Sequence, residues 1–481
     1  MSPELILITF LVYTIMLFGV SHLTSRNANN ESFFVGNRKS PWFLVAYGMI
    51  GASLSGVTFI SIPGAVGKDS FSYLMMVFGY FFGYLLIIKV LLPIYYKLNV
   101  TSIYSYFQDR FGFYTYKSGA TYFLISRVIG ASFRMFLIIK VLQVFVFNNW
   151  HIPFGVTVAS FILLILLYTF KAGIKTIVWT DTLQTTFMLA SVGLTLYFIS
   201  SEMNLGISGL FDKIMVSDYS KVVITDWHHS HFFIKQFVAG IFMSIVMTGM
   251  DQDMMQKNLT CKTLKDARKN MFWMSASLIP INIIFLFLGA SLFLFAAFSG
   301  IDIPEKADLL FPAIALQQLG PVAGITFIIG LIAAAYSSAD SALTALTTSF
   351  SVDILNLEEN NKYTPKQQIK IRKQVHIGVA FLLFLVIMLF NLINEDSVIN
   401  ELFTAAGYTY GPLLGLFTFG IFTRYRITDK HVVAVVVLAP LLTYLFQSYS
   451  EQLLFGYKFG FELLLVNGLL TFLGLLLIRK K

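Results

Sequence analysis

One cysteine, Cys261, stands in 481 residues, so the chain can form no internal disulfide, and no cysteine pair has metal-ligand spacing. Charge is also scarce: Asp, Glu, Lys and Arg make up 12% of the residues, against about 25% in soluble domains. The seven histidines do not cluster with other ligands, and no nucleophile elbow is present, so an enzyme is not expected. His151, His228, His229 and His231 fall between apolar stretches, where solvation is the simplest reading. No repeated filter element or ring of charge speaks for a channel. The first apolar stretch lacks the basic start of a signal peptide; Glu4 stands there instead.

What is abundant is apolar: 57% of the chain, with a mean hydropathy of +0.74. Apolar stretches reach the roughly 20 residues needed to cross a bilayer. The pattern predicts an all-α integral membrane protein, a single transmembrane domain over 1–481 with about 13 spans. They fall at 4–23, 44–66, 74–96, 118–148, 151–169, 177–200, 232–250, 271–299, 320–351, 374–393, 400–422, 431–448 and 459–478. The net charge of +9 could suggest nucleic acid as a partner, but its placement follows the membrane instead. With the N-terminus outside, the inner segments hold 24 of the 34 Lys and Arg, from Arg26 through Lys171, Lys257 and Lys362 to Lys481. The outer loops hold five: Lys68, Lys213, Lys221, Lys306 and Lys458. This asymmetry predicts a multi-pass protein with its N-terminus outside and its C-terminus in the cytoplasm. The longer outer loops, 201–231 and 300–319, read as caps or short amphipathic helices.

Polar residues inside apolar spans narrow the function. In Gly330–Asp353, Ala334, Ser337, Ser338 and Ser341 lie at i, i+3, i+4 and i+7 on one helix face, beside Asp340. Small residues also make ordinary helix contacts, but hydroxyl oxygens with a carboxylate are the ligands a small hard cation wants. Two spans look broken. Gly51-Ala52-Ser53-Leu54-Ser55-Gly56-Val57-Thr58 interrupts one, and Thr248-Gly249-Met250-Asp251-Gln252-Asp253 interrupts another. Non-helical backbone at membrane depth is tolerated where it lines a cavity or is buried in protein. Asp251 and Asp253 fit such a cavity or, equally, a solvated helix end. The breaks open two sets of five spans, 44–200 and 232–422, with 1–43 and 423–481 peripheral. An odd number of spans per set inverts the second relative to the first. Arg127 and Arg134 lie at i and i+7 in one span; one can pair with an aspartate and the other bind an anion.

Together these residues resemble the sodium:solute symporter family over nearly the whole chain. The resemblance rests on Ala334-x-x-Ser337-Ser338, on Trp179-Thr180-Asp181 with Gln184, and on Gln256-Lys257. Thr58-Phe59-Ile60-Ser61-Ile62-Pro63 and Ser126-Arg127-Val128 are most similar to its sialic acid branch. It implies a leucine-transporter-like 5+5 inverted repeat. It implies a main sodium site from the carbonyls of Gly51, Leu54 and Ala334 and the hydroxyls of Ser337 and Ser338. A second sodium is implied at Asp181, Asp340 and Ser341, where Asp340 departs from the branch's serine. The implied substrate positions are Ser53, Ser55, Thr58 and Arg127, while the branch's glutamine has no match around Met76 to Tyr80. Further departures are Ala172-Gly173 in place of a double glycine, and Lys257 in place of an arginine.

The expectation is a secondary transporter that couples Na+ flow to uptake of a small organic solute by alternating access. An anionic sugar acid or carboxylate is the first reading. A neutral sugar, amino acid or vitamin is the alternative, and a proton-coupled transporter or transporter-like sensor a remoter one.

Overall fold

The computed structural model describes residues 2–24, 30–170, 173–357, 363–393, 398–454 and 456–480. Arg26, Lys171, Ala172, Lys362 and Lys481, used above, lie outside them. The chain is helical nearly throughout. Helices α1 (Pro3–Thr24), α2 (Trp42–Ser53), α3 (Gly56–Asp69), α4 (Tyr73–Leu98), α5 (Phe113–Phe145), α6 (Phe154–Thr169) and α7 (Ile174–Glu202) form its first part. Helices α8 (Phe233–Gly249), α9 (Gln252–Leu259), α10 (Leu264–Ser299), α11 (Gly320–Ile354), α12 (Pro365–Ile393) and α13 (Val398–Phe422) follow. Helices α14 (Val432–Ser448) and α15 (Leu463–Leu477) end it. The order is thus a bent pair plus four helices, twice. Among the described residues, eight helices, or up to ten spans counting each bent pair once, are long and apolar enough to cross a membrane. The helices at the other three expected spans are α6, α13 and α15, of which α6 and α15 have only 16 and 15 residues. Short helices occupy the two long loops expected outside, at Gly206–Val216 and Ala307–Gln317.

Both expected breaks are present. Helices α2 and α3 meet at 51°, and α8 and α9 at 62°. The first break follows from Ser53-Leu54-Ser55-Gly56: the Leu54 amide still bonds back to Ile50 at 2.9 Å, and Ser55 then leaves helical geometry. A helix that stops inside the bundle leaves its last carbonyls without helical donors. The second break begins with a widened turn over Ile245–Gly249. Asp251 then caps α9, accepting from the amides of Asp253 at 2.9 Å and Met254 at 3.3 Å. Asp251 and Asp253 are both buried, so this is not a solvated helix end.

Two glycine contacts draw the halves together. A Cβ on Gly240 would stand 2.1 Å from the Met76 carbonyl, and one on Gly79 equally close to the Phe237 carbonyl. Helices α4 and α8 therefore cross backbone to backbone. Gly51 matters more for the site, because a Cβ there would stand 2.1 Å from Thr185 Oγ1 and push α2 off α7. Helix α7 also packs along α11, so the first broken helix, α7 and α11 form one layered unit.

Candidate transport site

A cavity lies beside the first break and opens to solvent, with about 760 Å³ of unfilled space counting its mouth. Ser53, Ser55, Thr58 and Arg127, the substrate positions implied by the resemblance, all line it. The structure adds Arg134, Thr248, Asn282 and three tyrosines, Tyr73, Tyr80 and Tyr84. Those tyrosines sit at i, i+7 and i+11 on α4, a stripe visible in the sequence. Tyr80 falls at the end of the stretch that lacks a glutamine, with Tyr73 and Tyr84 on either side of it. The hydroxyls of Tyr73 and Tyr80 lie 3.1 Å apart, and Thr248 Oγ1 lies 3.4 Å from that of Tyr84.

The two arginines divide their work. Arg127 is ion-paired with Asp253, and its guanidinium is also 3.8 Å from Asp251 Oδ2. Tyr410 donates to that same Asp251 oxygen. Arg127 thus fastens α5 to the second broken helix. Arg134 lines the same cavity, is 8% exposed, and makes no ion pair among the described residues. Of the two guanidiniums, Arg134 is the one not already committed to a carboxylate.

The hydroxyl stripe on α11 is fully buried. Ser337 donates to Asp181 Oδ1 at 2.7 Å, which joins α11 to α7. Asp340 accepts from Tyr168 at 2.6 Å. Ser338, Ser341 and Thr344 carry buried hydroxyls with no hydrogen-bond partner, and so does Asp340 Oδ1. Buried polar atoms normally find partners, so this row of orphaned oxygens facing a broken helix fits a bound cation. Helix α11 also contacts α2, whose terminal turn holds Gly51.

Lys257 was counted above among inner-loop charges. It is instead 1% exposed within α9, and its ammonium lies 2.7 Å from Asp181 Oδ2. The sequence offered Gln256-Lys257 as a motif but not this contact, which needs α9 folded back against α7. Gln256 beside it donates to the Phe34 carbonyl at 2.6 Å and to Thr348 at 3.0 Å. The Trp-Thr-Asp motif splits: Asp181 faces the interior while Trp179 is 48% exposed on the outer surface of the bundle.

Tyr73 and Phe403 are shared between this cavity and a smaller one lined by Asp69, His231, Gln236 and Phe461. His231, expected to be solvated, is instead half-buried there, 3.1 Å from Asp69 Oδ1. Two further tyrosines brace the second break. Tyr95 donates to the Gly249 carbonyl and Tyr104 to that of Met250, both at 2.8 Å.

A broken helix, a facing row of buried, unpartnered oxygens and a polar cavity beside the break make the layout of an inverted-repeat transporter. The profile of the sodium:solute symporter family matches residues 33–438, and the chain belongs to that family. It is a multi-pass membrane protein that uses Na+ as its coupling ion. The sodium/sialic acid symporter SiaT of Proteus mirabilis is 23% identical over 434 residues, covering 88% of this chain and 85% of that one. NanT of Aliivibrio fischeri, another sodium/sialic acid symporter, is 24% identical over 465 residues, covering 95% and 90%. Human sodium-coupled monocarboxylate transporter 2 is 24% identical over 413 residues, covering 82% of this chain and 64% of its own. A solved Na+-coupled sialic acid symporter superposes over 99% of both chains with a TM-score of 0.84 at 21% identity. A nucleobase-cation-symport-1 family transporter superposes over 94% of this chain and 95% of its own, with a TM-score of 0.54 at 16% identity.

Proposed function

We propose that this symporter imports a hydroxyl-bearing organic anion, a sugar acid or related carboxylate, through the cavity beside the first broken helix. The observation that carries this reading is Arg134, buried in the cavity wall with no carboxylate partner among the described residues. A guanidinium is suited to bidentate capture of a carboxylate. Ser53, Ser55, Thr58, Thr248, Asn282 and the three tyrosines supply polar groups for hydroxyls and aromatic faces for a ring. The relatives named for sialic acid and for monocarboxylates agree in substrate charge. Arg127 belongs to the same wall, already neutralised by Asp253. That pairing favours a second reading, a neutral sugar, amino acid or vitamin, if Arg134 also serves only structure.

Sodium is held in this reading by the carbonyls of Gly51, Leu54 and Ala334 and the hydroxyls of Ser337 and Ser338. Sodium and substrate share the segment from Gly51 to Thr58, so each strengthens the other's binding, and the coupling is reciprocal. The N-terminus lies outside and the C-terminus in the cytoplasm of an inner membrane, by the distribution of Lys and Arg. No catalysed reaction is part of this function. The test is thermal stability of the purified protein in sodium against potassium, across sugar acids, short carboxylates, neutral sugars and amino acids. Stabilisation by an acid only when sodium is present supports the reading. Stabilisation by a neutral solute alone selects the second reading, and equal behaviour in sodium and potassium removes the main ion site.

A further inference from the structure

Unpartnered polar atoms also gather outside the central cavity. The smaller cavity that shares Tyr73 and Phe403 with it is lined by Asp69, Ser72, His231 and Gln236. Ser72 Oγ and Gln236 Oε1 have no hydrogen-bond partner, and these residues are 1% and 3% exposed. His231 Nδ1 lies 3.1 Å from Asp69 Oδ1 yet makes no hydrogen bond to it, because the ring N–H does not aim at the carboxylate. Asp69 has no Lys or Arg partner among the described residues. Lys235, the buried ammonium of this region, is turned to the carbonyls of His229 and Lys458 instead.

We propose that Asp69, Ser72, His231 and Gln236 form a site for a divalent transition-metal ion of the zinc class, separate from the sodium and solute sites. Nitrogen and oxygen ligands about 2.0–2.2 Å from one zinc ion stand about 3 Å from each other, with neither aimed at its neighbour. That is the relation of His231 Nδ1 to Asp69 Oδ1. Gln236 and Ser72 offer two further oxygens to the same space. The imidazole sets the class of ion, since it suits zinc, copper, nickel and iron, whereas calcium and magnesium take oxygen ligands. No third His, Cys, Asp or Glu joins the pair among the described residues, so the donor set is mixed and the ion exchangeable rather than permanently held.

The placement gives the ion a consequence for transport. Asp69 ends α3, the second half of the first broken helix. Gln236 lies in the first turn of α8, the first half of the second broken helix, and His231 stands just before it. Ser72 precedes Tyr73 of the central cavity. A bound ion cross-links the two broken helices beside the cavity wall, resists their relative movement and slows uptake.

The test is zinc chloride titrated into the purified, untagged protein without sodium or solute, read as melting temperature, and then into uptake by proteoliposomes. Zinc is expected to raise the melting temperature where calcium at equal concentration does not, and to slow uptake until a chelator removes it. Loss of even an outer-shell partner of a metal costs roughly 10- to 100-fold in affinity, so Asp69→Asn and His231→Gln each weaken the zinc response at least about tenfold. His228→Ala, at an exposed histidine of the same loop, keeps the response. No response to zinc, a response that both ligand variants keep, or one lost in His228→Ala overturns the proposal. So does a response to calcium in place of zinc. If Asp69→Asn does not fold, His231→Gln and Gln236→Leu decide by the same criterion. Loss of sodium dependence in the metal-free wild type defeats the symport reading and leaves zinc binding untouched.

Discussion

Removing either arginine of α5 tests how the cavity divides its charges. Arg134→Met deletes a buried guanidinium that holds no carboxylate among the described residues. The fold loses little charge compensation, while a bound carboxylate loses a charge-assisted contact. Such contacts are worth about 1.5–3 kcal/mol net, so the solute KM rises about 10- to 150-fold. Sodium-dependent stabilisation without solute remains. Arg127→Met does something else. It leaves Asp253, and Asp251 behind it, as buried carboxylates without their cation. Breaking a buried pair on one side costs about 3–5 kcal/mol, so the melting temperature falls before any solute is added. The rescue variant Arg127→Met/Asp253→Asn recovers much of that loss, because the stranded charge is gone. The assay is a melting curve of each purified variant, with and without sodium, beside concentration-dependent uptake in proteoliposomes. The reasoning fails if Arg134→Met transports with unchanged KM while Arg127→Met keeps full stability and loses only solute affinity.

Two further outcomes are expected. Ser338→Ala removes a buried hydroxyl that has no protein partner, so the sodium concentration for half-maximal uptake rises roughly tenfold and the solute KM at fixed sodium rises with it. Sodium titrations of uptake check this, and an unchanged sodium dependence removes Ser338 from the site. Burial pushes the Cys261 thiol up to about 12, so its thiolate is scarce at neutral pH. A maleimide added at pH 8 therefore leaves the folded protein unlabelled and reacts once it is unfolded; rapid labelling of the folded protein would show that α9 and α10 open at that junction.

How much was legible in advance can be argued residue by residue. The breaks at Gly51–Thr58 and Thr248–Asp253 were legible because glycine and clustered polar residues cannot continue an apolar helix unnoticed. The hydroxyl face of α11 was legible because a period of 3.6 places Ser337, Ser338 and Ser341 together. The tyrosine stripe on α4 had the same periodic signal, hidden because aromatic residues are also ordinary packing in a membrane span. The roles of Arg127, Arg134 and Lys257 were not legible. An ionised side chain in an apolar span announces that it must have a partner, but not which one.

The sequence alone determined that the chain crosses a membrane repeatedly, where its helices break, and which helix face gathers hydroxyls beside a carboxylate. These are local properties, set by transfer free energy and helical period. Only the tertiary structure decided which charges neutralise one another. Asp181 meets Lys257 from 76 positions away in the chain and Ser337 from 156, while Arg127 meets Asp251 and Asp253 across the cavity. Charge pairing in a low-dielectric interior depends on separations of a few ångströms, and those are set by how helices from the two halves pack.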